Sequence, residues 1–272
     1  MTRLVHLTDL HFGAERAELV APLRAAVLRC DPDFVIVSGD LSQRARIGQF
    51  RRAMQFIDSL QRPYMVVPGN HDIPLYNLPL RWISPFFSWK MSIPQGRGCF
   101  ARVGPIRLFG VNSADPGQWR GGVLRDSDVA RVEAALRGTE QGGGAEAEAL
   151  NLLVCHHPLE EPPGFERGET RGAESGIARL AAAGLHGVVS GHLHHWQLGL
   201  GIAAGSPRPL LQIQTGTALC GRKGEKDHGF TLLDQQPGGL IATPFVINEA
   251  TLRFEPGPQR QFRREGGLWH LL

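Results

Sequence analysis

The residues able to do chemistry recur in one kind of place. Short apolar, β-branched runs are followed at once by acidic, imidazole or carboxamide side chains. Asp9 and His11 follow Leu4–Leu7, Asp40 follows Phe34–Val37, and Asn70-His71-Asp72 follow Tyr64–Val67. Further along, His156 and His157 follow Leu150–Cys155, and His192 and His194 follow Gly187–Val189. In open α/β sheets, sites are built at the carboxyl ends of the strands. One Asp-x-His or His-x-His pair alone means little. Five strand ends that each carry a ligand type point to a single shared centre. Gly39, Gly69 and Gly191 stand beside three of these clusters and predict sharp turns that aim short side chains inward.

Nitrogen and carboxylate oxygen without thiolate favour zinc, manganese or iron over copper(I) or iron–sulfur clusters. Seven candidate ligands exceed the three or four of a single catalytic zinc, so two ions are expected. One carboxylate must then bridge ions ~3.5–4 Å apart. Asp40 stands alone on its turn and is the natural bridge. Two divalent ions outweigh the charges of Asp9 and Asp40. With a bridging hydroxide the centre keeps about one positive charge, which suits a phosphate anion.

The elements that must position these groups are legible as alternating strands and helices. Glu15–Cys30, Gln49–Leu60 and Ala173–Ala183 read as helices, and Ile106–Val111 as a further strand. Such alternation predicts βαβ units and a mainly parallel core sheet. The tail differs: Leu210–Gln214, Phe230–Leu233, Ile241–Ile247 and Thr251–Phe254 are spaced like a meander, and predict a second sheet stacked on the first. Residues 141–145 read as a surface loop.

Composition limits the remaining classes. The net charge of the 272-residue chain is +3, too small for a large basic field, which disfavours nucleic acid as a partner. No apolar run approaches the ~20 residues of a membrane span. The first residues reach Asp9 too early for a secretory signal, so a cytoplasmic protein is expected. Cys30, Cys99, Cys155 and Cys220 are far apart and read as buried thiols.

The set Asp9-x-His11, Gly39-Asp40, Gly69-Asn70-His71-Asp72, His156 and Gly191-His192-x-His194 resembles the calcineurin-like metallophosphoesterase superfamily. Gly39-Asp-Leu-Ser-Gln-Arg-Ala45, Pro68-Gly-Asn-His-Asp72 and Gln214-Thr-Gly-Thr217 are most similar to its bacterial class III cyclic-nucleotide phosphodiesterase branch. The resemblance implies an α/β fold, a four-layer α/β/β/α sandwich of two stacked mixed β-sheets flanked by helices. It also implies one domain over residues 1–272. One metal would be held by Asp9, His11, Asp40 and His194, and the other by Asp40, Asn70, His156 and His192. The metals would be iron, manganese or zinc. His71 would be catalytic, off the metals, with Asp72 placed to orient it.

The implied reaction is hydrolysis of a small phosphodiester, such as the 3′,5′-cyclic nucleotide cAMP, by a hydroxide bridging the two metals. A glycerophosphodiester, a lipid-linked diester, a nucleic-acid end or a phosphomonoester are the alternatives, since a fold does not choose among them. Ser/Thr protein phosphatases carry Asp-Arg-Gly after their Gly-Asp. Leu41-Ser-Gln-Arg-Ala45 here disfavours that activity. A non-enzymatic scaffold is disfavoured because no ligand position is lost, and a homodimer is compatible with the sequence. His157 and His195 are expected behind the ligands or lining the pocket, within reach of substrate, whereas His6, His186, His228 and His270 are expected to have no metal role. Leu80–Phe100, with Trp82, Phe86, Phe87 and Trp89, is expected to pack on the body, with a cap over the site as the alternative. Arg167 and Arg171 are candidates for reaching substrate.

Overall fold

Alternation along each strand decides how many layers there are. The computed structural model describes residues 1–140, 149–160, 164, 168–201 and 209–272. In it β1 (Thr2–Leu7), β2 (Phe34–Val37) and β3 (Tyr64–Val66) run parallel and side by side. Val5, Leu7, Val35 and Val37 face one apolar core, while Leu4, Phe34 and Ile36 face another. A strand buried on both faces must read as a continuous apolar run, and these do.

The second sheet takes β4 (Phe100–Val103), β5 (Ile106–Gly110), β6 (Leu150–Val154), β7 (Gly187–Ser190), β8 (Gln197–Gly201) and β9 (Leu210–Gln214). Its order is β4-β5-β6-β7-β9-β8, with the inner four parallel and the two edges antiparallel. Ile106, Leu108, Leu152 and Val154 face the first sheet, and Phe109 and Leu153 face outward.

The chain then returns as β10 (Gly229–Gln236), β11 (Gly239–Asn248), β12 (Arg253–Pro256), β13 (Arg260–Glu265) and β14 (Leu268–Leu271). β10 lies antiparallel to β1, pairing Thr2 with Gln235 through His6 with Thr231. The meander therefore extends the first sheet, in the order β14-β13-β11-β10-β1-β2-β3, and only Leu210–Gln214 joins the second. This corrects the expectation that the tail makes the second sheet. β1 pairs with β2 along one edge only, and β10 satisfies the backbone groups of the other edge.

Helices complete the layers. α1 (Ala17–Arg29) and α2 (Ile47–Ser59) bury Leu19, Leu23, Phe50 and Ile57 against the outer face of the first sheet. Two short helices follow, α3 (Leu78–Ile83) and α4 (Phe87–Ser92). α5 (Asp126–Glu140) and α6 (Ala173–Ala182) cover the second sheet with Val129, Val132, Ile177 and Leu180. Three apolar cores separate four layers, so the architecture is the α/β/β/α sandwich expected from the sequence.

Particular elements depart from the reading. The aromatic residues of 80–100 divide: Trp89 packs edge-on against Phe50 at 5.9 Å, while Trp82 and Phe87 are exposed. Thr251 and Leu252 form a turn, with Leu252 at φ 51°, and the strand there starts at Arg253. Cys30, Cys155 and Cys220 are buried as expected, but Cys99 is exposed. Residues 141–145 lie outside the described residues.

Candidate metal centre

The parallel strands of both sheets bring their carboxyl ends to one rim. The turns after β1 and β2 are stitched together by Asp9 N–H to the Gly39 carbonyl at 3.1 Å and His11 N–H to the Asp40 carbonyl at 2.9 Å. His156 Nδ1 reaches across to the Ser38 carbonyl at 2.8 Å and ties the second sheet to the first. From the turn after β9, Thr217 Oγ1 donates to the Asp9 carbonyl at 2.8 Å. Beneath the rim, buried His6 bridges Ser38 Oγ and Thr215 Oγ1, each at 2.7 Å. Both of its ring nitrogens are thereby engaged.

Five of the seven candidate ligands sit on left-handed backbone: Asp9, His11, Asp40, His192 and His194, with φ of 55°, 46°, 51°, 74° and 54°. Such residues tolerate that region better than most, and strain of this kind persists where the fold over-determines it. The glycines divide in their roles. Gly39 has φ 97° and makes the expected turn. Gly69 and Gly191 are needed for space instead: a Cβ would collide with Asp40 Oδ1 at the first and Thr8 Oγ1 at the second.

The donor atoms converge in two groups. His11 Nε2 lies 3.4 Å from Asp9 Oδ1, 3.5 Å from Asp40 Oδ2 and 3.3 Å from His194 Nε2. His156 Nε2 lies 3.4 Å from Asp40 Oδ2, 3.2 Å from Asn70 Oδ1 and 3.3 Å from His192 Nδ1. Ligands ~2.0–2.1 Å from one tetrahedral ion stand roughly 3.3 Å from each other, so both groups fit an ion of that size. Asp40 Oδ2 belongs to both.

The second carboxylate oxygens and the far side of the His194 ring are already committed, whereas buried His11 Nδ1 has no hydrogen-bond partner among the described residues. Asp9 Oδ2 accepts from Thr8 Oγ1 at 2.6 Å and from His192 N–H at 3.0 Å, leaving Oδ1 for the imidazoles. Asp40 Oδ1 accepts from His71 N–H at 2.8 Å. His194 Nδ1 meets Glu225 Oε2 at 2.7 Å, the carboxylate–imidazole arrangement that fixes a ring for ligation.

Electrostatics follow from burial. Burial alone would raise the Asp9 and Asp40 carboxyls, but the imidazoles around them hold both well below the usual range. Burial opposes charge on His156 and His194 too. Asp40 overrides it for His156, and Asp9 with Glu225 for His194, pushing each up to about 9. Desolvation wins at His11, lowered to about 4, and at His192, which falls well below its ordinary value.

A cavity of about 580 Å³ opens over this cluster, within the usual size range of ligand sites. Asp40, Asn70, His71, His192 and His194 line it, together with Arg44, Trp119, Arg120, Arg222 and Glu225. His71 turns Nδ1 to the Gln43 carbonyl at 3.1 Å, with Nε2 3.4 Å from Arg222 Nη1. Asp72 does not orient it, which corrects the role implied by the resemblance. The Asp72 oxygens accept from the backbone N–H groups of Leu41, Ser42 and Gly69 and from Ser42 Oγ, so this carboxylate shapes two turns at once. Burial, with the charge of Asp40 added, raises it to about 7.

His157 is buried against the His156 and His192 rings at 4.9 and 4.6 Å, with Nδ1 on Ser113 Oγ at 2.9 Å, so it supports ligands as expected. His195 does not line the cavity, and its carbonyl accepts from Gln214 Nε2. Arg171 pairs with Asp115 at 2.5 Å and also stays outside the cavity, and Arg167 lies outside the described residues. None of residues 80–100 is in its lining. Arg44, Trp119, Arg120, Arg222 and Glu225 were not singled out by sequence. Each sits in a polar loop without a repeated spacing, and only the fold brings it to the rim.

Two donor groups sharing one carboxylate, at the carboxyl rim of an α/β/β/α sandwich, define a class of hydrolase built around paired metal ions. The profile of the calcineurin-like phosphoesterases matches residues 2–196, and the chain belongs to that family, which generally binds a dinuclear metal centre. It is 29% identical over 209 residues to the glycerophosphodiester phosphodiesterase GpdQ of Enterobacter lignolyticus, spanning 71% of this chain and 70% of that one. It is 26% identical over 259 residues to a probable cyclic nucleotide phosphodiesterase of Synechococcus, spanning 87% and 88%. Among solved structures, the yellow lupin purple acid phosphatase PPD1 superposes with TM-score 0.61 at 14% identity, over 97% of this chain and 54% of that one. A dimetal phosphatase from Danio rerio gives 0.56 at 14%, over 89% and 95%. At such identity these two speak for the fold alone.

Because His156 and His194 hold protons up to about pH 9, ligation must displace them. Chelator-stripped protein given Mn²⁺ at pH 7 in weak buffer should release at least about two protons per chain, and fewer as pH rises past 9. Metal uptake at pH 7 without proton release would contradict this.

Proposed function

We propose that the chain hydrolyses a small phosphodiester, with a 3′,5′-cyclic nucleotide as the leading substrate. Asp9, His11, Asp40 and His194 would hold one ion of iron, manganese or zinc, and Asp40, Asn70, His156 and His192 the other. The observation that carries this reading is the position of Asp40 Oδ2, within 3.5 Å of His11 Nε2 in one donor group and 3.4 Å of His156 Nε2 in the other. Ions held there would supply Lewis acidity and a water acidified to a pKa of about 7.

The chain's own residues supply the rest. Arg44, Arg120 and Arg222 line the cavity and suit phosphate oxygens, for which guanidinium is a strong donor. His71 donates Nδ1–H to Gln43, so Nε2, 3.4 Å from Arg222 Nη1, is the atom that would meet the substrate. Burial lowers its pKa, with Asp40 opposing. An arriving phosphate anion favours the charged ring, from which Nε2–H can protonate the departing alkoxide. Trp119, 56% exposed on the rim, offers a flat face to a nucleobase. That face, and the likeness to a probable cyclic nucleotide phosphodiesterase along most of the chain, favour a nucleotide. The likeness to GpdQ supports a glycerophosphodiester as the second reading.

Metal-loaded protein should cleave bis-p-nitrophenyl phosphate with higher kcat/KM than p-nitrophenyl phosphate, and cAMP ahead of glycerophosphocholine. Preference for the monoester across several metals would overturn the diester reading, and preference for glycerophosphocholine would select the second one. His71→Ala should keep its metal content while kcat on cAMP falls by about 10²–10⁴-fold. The loss should be smaller on bis-p-nitrophenyl phosphate, whose leaving group hardly needs a proton. Loss of metal, or equal loss on both substrates, would remove His71 as the acid.

A further inference from the structure

The exposed apolar side chains are concentrated rather than scattered. Six of the fourteen large ones among the described residues fall within 76–91: Tyr76, Leu78, Trp82, Ile83, Phe87 and Met91. Trp82 and Ile83 are 65% and 84% exposed. Single exposed apolar residues are ordinary, but a cluster on one segment marks a contact surface. This segment is pinned, too. Arg81, buried within α3, donates to the carbonyls of Pro74, Pro116 and Gln118 at 3.0, 2.8 and 2.6 Å and stacks on Trp119 at 4.5 Å. The outward face of α3 is thus fastened to the loop carrying a cavity-lining residue, and Leu75 just before it lines the same cavity.

Charge identifies the occupant. Between Asp72 and Asp115 the chain has no acidic residue and five basic ones. Arg81 and Arg107 are buried, while Lys90, Arg97 and Arg102 are exposed, and Lys90 and Arg97 line a cavity beside α4 with Arg131 and one acid, Asp128, from α5. We propose that the α3–α4 face docks on an anionic phospholipid surface, with Trp82, Ile83 and Met91 in the headgroup–acyl boundary and the cations on phosphate. Aromatic and aliphatic side chains beside Lys and Arg are what such a surface binds. Among the described residues no helix is long and apolar enough to cross a membrane, so the face lies on the surface. A second copy fits less well. A two-fold contact through this face would set the same cations against each other, with Asp128 the one acid beside Lys90, Arg97 and Arg131 in the adjoining cavity. The docking does not depend on which diester the cavity takes.

The test is co-sedimentation of the metal-loaded protein with phosphatidylcholine vesicles, with and without phosphatidylglycerol. Wild type should sediment only with the anionic vesicles, less so as salt rises. The double variant Trp82→Ser, Ile83→Ser should partition at least about tenfold more weakly. Lys90→Glu should weaken it separately. Both variants should keep the wild-type rate on bis-p-nitrophenyl phosphate, which shows that they fold. Absence of wild-type binding, or variants that bind like wild type, would overturn the proposal. So would a dimer in size-exclusion chromatography that the double variant makes monomeric, since a second copy would then own the face.

Discussion

Asp9 and Asp40 are 0% and 2% exposed, and among the described residues neither pairs with a lysine or arginine. Their partners are imidazoles, with the Thr8 hydroxyl and the backbone N–H groups of His71 and His192 donating to the other oxygens. Two buried carboxylates without compensation would cost several kcal/mol each, and a protein normally answers by pairing or neutralising them. Here the protein alone answers by protonating His156 and His194, with pKa values pushed up to about 9. A pair of divalent cations answers the same need with more charge in less space. With those two protons displaced, Asp9 and Asp40 leave two negative charges that a cation at each donor group would balance, and the surrounding structure keeps both carboxylates in place.

Keeping it in place takes strain and close approach from both sheets. Asp9, His11 and Asp40 come from the first sheet on left-handed turns, and His192 and His194 from the second in the same way. Stitching between the turns after β1 and β2, and the His156–Ser38 bond between sheets, hold these turns where isolated loops would relax. Gly69 and Gly191 let backbone pass against Asp40 and Thr8 where any larger residue would push the donor away. The return of β10 to the free edge of β1 secures the strand from which Asp9 and His11 emerge.

The sequence carried the donor set because each donor ends a short β-branched run, and that pattern survives without knowledge of the fold. It also carried part of the layering, since Phe34–Val37 is apolar without alternation and so reads as covered on both faces, while the full four layers came with the family resemblance. Pairing over long sequence separation was not legible: nothing local says that Gly229–Gln236 belongs beside Thr2–Leu7. The strands near the margin of the first sheet were faint for a different reason, as Arg260–Glu265, second from the edge, buries only Phe262 and shows no alternation to read. Arg222 and Glu225 look like ordinary loop polarity, and only the path after β9 brings Glu225 to His194. The resemblance set Asp72 to orient His71, whereas its four hydrogen bonds go to the turns that carry Leu41, Ser42 and Gly69.

The central claim is that one oxygen of Asp40 belongs to two metal sites, and anomalous diffraction tests it most directly. Crystals grown with Mn²⁺ should show two anomalous peaks ~3.5–4 Å apart, each in bonding range of Asp40 Oδ2. Crystals of Asp40→Ala under the same conditions should show both peaks weakened together. A single peak in the wild type, or an Asp40→Ala crystal with both ions still in place, would contradict the account.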